Sequence, residues 1–104
     1  MSIDFNAIAI NNNEEDSQYE AHVGGYVALI QYDRMGDLIT FLHTETPTEL
    51  AGHGIASRLA EAALDDARAQ RLVVVPLCPF VASYIKRHPE YSDMVPAEYQ
   101  SRIQ

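Results

Sequence analysis

Residues 49–68, ELAGHGIASRLAEAALDDAR, change character at one point. From Ile55 onward the spacing is helical. Ile55, Leu59, Ala62, Ala63 and Ala67 form an i, i+4, i+7, i+8, i+12 stripe, with Arg58, Glu61, Asp65 and Arg68 on the polar side. A helix is therefore predicted over 55–70. Immediately before it stand Gly52, His53 and Gly54, although glycine costs roughly 1 kcal/mol relative to alanine in a helix interior. Two readings follow. The glycines make a sharp helix entry and nothing more, or they let a ligand approach the backbone. A helix N-terminus carries roughly half a positive charge and free N–H groups, which suit a phosphate-like anion. Glycines leave those groups unshielded. No Lys-Ser/Thr pair follows Gly54, so this is not a Walker loop, and no third glycine makes it a dinucleotide fingerprint.

Reading outward, LITFLHT (38–44) is the strand that feeds this turn, and TPTE (46–49) resembles a capping box with Pro47 at the first helical position. GYVALIQYDR (25–34) predicts a strand with Val27, Leu29 and Gln31 on one face and Tyr26, Ala28, Ile30 and Tyr32 on the other. Gly36 turns it into the next strand, and Gly24–Gly25 mark a bulge or turn after the loosely alternating YEAHV. A first strand is expected over Phe5–Ile10 and a loop over Asn11–Gln18. Beyond the helix, RLVVVPLC (71–78) predicts a strand buried on both faces, interrupted at Pro76. A short helix in FVASYIKRHP stops at Pro89, and the tail is expected to be partly helical with frayed ends. The fold class is α+β with a mixed sheet.

Composition narrows the function. The chain has 104 residues, one domain's worth, with 47% hydrophobic and 21% charged residues. Lys and Arg number 7 and Asp and Glu 15, for a net charge of -8. That balance argues against a nucleic-acid or anionic-membrane partner and is compatible with cationic substrates. One cysteine, Cys78, excludes an internal disulfide, and neither a signal peptide nor a spanning run is visible, so a cytoplasmic location is expected.

AGHGIASRLAEAALDDAR resembles motif A of the GNAT N-acetyltransferase superfamily, Arg/Gln-x-x-Gly-x-Gly/Ala. Gly54 and Ala56 match it, and Ala51 stands where Arg or Gln is usual. FLHTETP, VVPLCPFVASYIKRHPEY and, more loosely, GYVALIQY extend the likeness over residues 24–92 to a small single-domain branch of that superfamily. The resemblance implies a single domain over 1–104. Its sheet would be mixed and mainly antiparallel, with central parallel strands that splay, flanked by helices. It also implies an acetyl-CoA-dependent N-acetyltransferase acting on an unidentified amine, with acetyl-CoA as cosubstrate and no metal. The alternative is a CoA- or acyl-CoA-binding module without catalysis. The oligomeric state is left open, with a lean to a monomer.

The same resemblance implies that Thr44, Ala51, Gly52, His53, Gly54, Ile55, Ala56 and Ser57 hold acetyl-CoA, the loop amides taking its pyrophosphate. Phe80, Tyr84, Lys86 and Arg87 are the further cofactor candidates, the two cations toward a phosphate. His43 and Cys78 are the implied catalytic pair. An imidazole titrating near neutrality is suited to accept an ammonium proton, and a thiol can protonate a departing thiolate. From residue type alone each has a plainer reading. His43 caps a strand, Cys78 is a small hydrophobe, and the Lys86–Arg87 pair favours the C-terminal dipole of its helix.

Overall fold

A computed structural model describes residues 2–104. Its sheet has five strands in sequential order, β1 (Ala9–Asn13), β2 (Gln18–Val23), β3 (Tyr26–Met35), β4 (Leu38–Glu45) and β5 (Val73–Pro76). The first four run antiparallel, and β5 pairs parallel to β4, so the sheet is mixed and mainly antiparallel. The parallel pair lies at one margin, because β5 is the last strand in the order. Alternation on β2 and β3 fixes which face is buried: Tyr19, Ala21 and Val23 lie beside Ile30 and Ala28, all in the core.

That face is covered by α1 (Ile55–Ala69), whose buried residues are Ile55, Leu59, Ala60, Ala63, Leu64 and Ala67. Ala60 and Leu64 complete the apolar stripe, whereas Ala62 is half-buried at its edge. The crossover β4–α1–β5 returns the chain parallel to β4, the connection that parallel strands require. The second helix, α2 (Pro79–Arg87), starts with Pro79 in its first turn, where the missing N–H costs nothing, and buries Val81, Ala82, Tyr84 and Ile85.

Four local expectations are corrected. The first strand begins at Ala9, not Phe5, and includes Asn11–Asn13, because Asn12 pairs with Tyr19 and its side chain accepts the Tyr32 hydroxyl at 2.7 Å. On β5 only Val74, Val75 and Pro76 are buried; Val73 is exposed at the start of an edge strand. The TPTE capping box does not form: Thr48–Leu50 is one 3₁₀ turn with Pro47 as its uncapped N-cap. The tail is not loose, since two 3₁₀ segments (Pro89–Met94 and Ala97–Ile103) bury Tyr91, Met94 and Ile103. Tyr91 donates to Asp65 of α1 at 2.6 Å, and Arg68 reaches the carbonyl of Glu90 and the carboxylate of Asp93.

Candidate functional site

The glycine turn is built as an open cradle. Gly52 and Gly54 have φ of +80° and +72°, the left-handed region that side-chain-bearing residues rarely adopt. A Cβ at either position would meet nothing within 4 Å. Room for the protein's own atoms is therefore not the reason for glycine; the conformation and the free space beside it are. Gly54 is the N-cap of α1 and no side chain caps that end, so the first-turn amides of Ile55, Ala56 and Ser57 have no partner within the helix. These residues line a cavity of about 280 Å³ together with Thr46, Leu50, Ala51, Gly52, Gly54 and, from α2, Phe80. Thr46 and Leu50 were not anticipated; only the 3₁₀ turn after β4 brings them in. His53 does not line the cavity. Its ring turns back onto Phe5, centroids 3.6 Å apart and planes within 9°.

At the far end of β4 the sheet opens. β4 and β5 pair only as far as Phe41 and Pro76, and the last bond across the pair runs from the Cys78 amide to the Phe41 carbonyl at 2.8 Å. β4 continues through Glu45 against β3 alone, which is the splay. Cys78 sits at its base, 1% exposed, as the N-cap of α2. Its Sγ lies 3.1 Å from Oγ1 of Thr44.

His43 does not join them. Phe41 stands opposite Tyr32 but His43 opposite Gln31, so Leu42 is an extra residue, a β-bulge. The bulge puts Thr44, opposite buried Ile30, on the face of Cys78 and turns His43 to the other face. There the His43 side chain is 56% exposed, with Nε2 3.2 Å from Oε1 of Glu45. Glu45 is a residue that motif matching passed over; its i+2 spacing from His43 was the available signal.

Neither cation of α2 lines the cavity at the cradle. Arg87 lies seven residues from Phe80 on one helical stripe and bonds Ser83 at 3.4 Å. Lys86 instead lines a different cleft of about 400 Å³ with Ser83 and Arg102. Tyr84 lines neither space. It is buried against His88, ring centroids 4.1 Å apart, and burial raises its hydroxyl pKa.

Sequence comparison covers the stretch that carries the splayed parallel pair, the left-handed glycine turn and the uncapped helix start. The family model described as GCN5-related N-acetyl-transferase matches residues 18–94. Protein NATD1 of Mus musculus is 32% identical over 85 residues, covering 79% of this chain and 77% of its own. The Gallus gallus and Homo sapiens proteins of the same name are also 32% identical, covering 77% and 75% of their own lengths. The match spans the sheet from β2, both helices and the cradle between them, and the chain belongs to the GCN5-related N-acetyltransferase family.

Proposed function

We propose that this protein transfers an acetyl group from acetyl-CoA to an amine. The observation that carries the reading is the open cradle at Gly52–Ser57, whose unpartnered amides adjoin a cavity shared with Phe80. The residues present fit the cosubstrate. Backbone N–H groups at a helix start suit a pyrophosphate, and the apolar lining from Leu50, Ile55 and Phe80 suits the pantetheine arm. Acetyl-CoA, when bound, supplies an activated thioester.

The protein's own groups then divide the proton work across the sheet. Cys78 holds a proton at Sγ, within 3.1 Å of the Thr44 hydroxyl, on the face where a thiolate would leave. His43 accepts a proton from the incoming ammonium at the opposite, solvent-facing side, with Glu45 beside it to stabilise the imidazolium. Backbone N–H groups of the splay are the natural donors to a developing oxyanion. Direct transfer requires that both groups reach one tetrahedral carbon, which bears the incoming amine and the outgoing thiolate, through the opening between β4 and β5. The placement of His43 on the face opposite Thr44 and Cys78 favours a second reading, a CoA-binding module without transfer.

The deciding experiment measures thiol release from acetyl-CoA with a panel of amines, alongside a thermal-shift titration with CoA. Amine-dependent release supports the enzyme. CoA stabilisation without release by any amine supports the module, and no stabilisation at all sinks both.

A further inference from the structure

Residues 2–8 are not in any helix or strand, yet they are tied down along the molecule. Ile3 presses on the β2–β3 turn so closely that a Cβ at Gly24 would come within 2.8 Å of it. Ile8 and Ile10 pack against the core. Between these anchors the chain makes a tight turn: the Asn6 amide donates to Oδ1 of Asp4 at 2.9 Å and the Ala7 amide to the Asp4 carbonyl at 3.2 Å. Half-buried Phe5 stands on that turn and lies flat on His53.

His53 is the one side chain between two left-handed glycines, so its stack restrains a permissive stretch of backbone. We propose that Phe5 is a positioning residue for the cosubstrate. By stacking on His53 it holds the amides of residues 52–57 in their binding arrangement before the ligand arrives. The inference rests on the acetyl-CoA reading of the cradle and adds to it a partner 48 positions distant in sequence. Preorganisation of this kind acts on affinity: a loop already in its bound shape loses less freedom on binding. Phe5 lines no part of the cavity around the cradle, so it acts through the loop and not by touching the ligand.

The test compares wild type with Phe5→Ala, Phe5→Leu and Phe5→Tyr by two readouts. The first, on ligand-free protein, is the ¹⁵N order parameter of residues 52–56. It should fall from about 0.85 toward 0.6 in Phe5→Ala and Phe5→Leu and return in Phe5→Tyr, which keeps a ring. The second is CoA affinity and steady-state kinetics. The alanine and leucine variants should bind CoA roughly 3- to 10-fold more weakly, with KM for acetyl-CoA raised equally and kcat unchanged. Leucine keeps apolar bulk without a ring, so it guards against a variant that merely fails to fold. Unchanged order parameters, or a looser loop that binds CoA as tightly as wild type, would overturn the proposal. If wild type binds no CoA, the acetyl-CoA reading fails and the positioning role with it. Loosening in the first readout then leaves Phe5 a purely structural clamp.

Discussion

Cys78 and Thr44 make the sharpest claims at the scale of single residues. Cys78→Ser nearly conserves volume but replaces a thiol with a far weaker acid. If Sγ delivers the proton to the leaving thiolate, kcat should fall roughly 10²-fold or more while CoA affinity stays within a few-fold. If Cys78 only fills the core, the serine should cost about 1–3 kcal/mol of stability and leave activity per folded molecule intact. Urea melts and single-turnover rates on the same samples separate these. Direct transfer further requires intact protein mass after incubation with acetyl-CoA alone; an added acetyl on Cys78 would point to a covalent route instead. His43→Ala should lower the steady-state rate of amine transfer while CoA affinity, read by titration, stays within a few-fold; an unchanged rate would remove His43 from the proton path. Of this chemistry, the residue types at positions 43 and 78 were legible beforehand. That they face opposite ways was not, because counting by twos along β4 puts His43 on the face of Phe41, and no composition signal announces one extra residue.

For the elements, the cradle and the strand ladder govern. Gly54→Val places a β-branched residue at φ +72° and should lose about 1–3 kcal/mol of stability through backbone strain, while its side chain blocks the amides of α1. Isothermal titration of the folded fraction should then detect no CoA binding; wild-type affinity would refute the cradle. Glu20 on β2 offers a pH test. Bonds from Gln18 Nε2 and Asn13 Nδ2, then His22, lower its carboxyl pKa from 4.5 to about 2. A depressed carboxylate stabilises the fold fully above its unfolded pKa and loses that contribution as pH falls through the folded one. Glu20→Gln should therefore be less stable than wild type near pH 7, and the gap should close between about pH 4.5 and 2 in urea melts. Helix α1, the glycine turn and the β3–β4 hairpin were readable from periodicity and turn residues. The polar run Asn11–Asn13 concealed half of β1, because cross-strand partners decided its pairing, not propensity.

Across the whole molecule, fifteen acidic residues against seven basic ones give a net charge of -8, which favours a cationic acceptor by long-range attraction. At the 8–10 Å screening length of physiological salt that attraction is already curtailed. Raising ionic strength should accordingly reduce kcat/KM for a polyamine more than for a neutral amine, and equal slopes would assign the charge to solubility alone. The tail was the part least legible in advance. Its 3₁₀ segments carry little periodicity, and what fixes them is tertiary: Tyr91 on Asp65, Arg68 on Asp93, and Gln100 spanning the Ser92 and Val95 carbonyls.

The bulge at Leu42 has a consequence for comparing this strand with others. A strand is a signal of period two, and one inserted residue shifts its phase by half a cycle, exchanging the two faces for everything downstream. A relative with an unbulged strand would need its histidine one position out of step to occupy the same side. Alignment by identity would pair the wrong side chains across such a boundary, and alignment by parity would pair the right ones. Removing Leu42 restores the beat without moving Thr44 from Cys78, and a second residue beside it would do the same, since two insertions complete a full cycle.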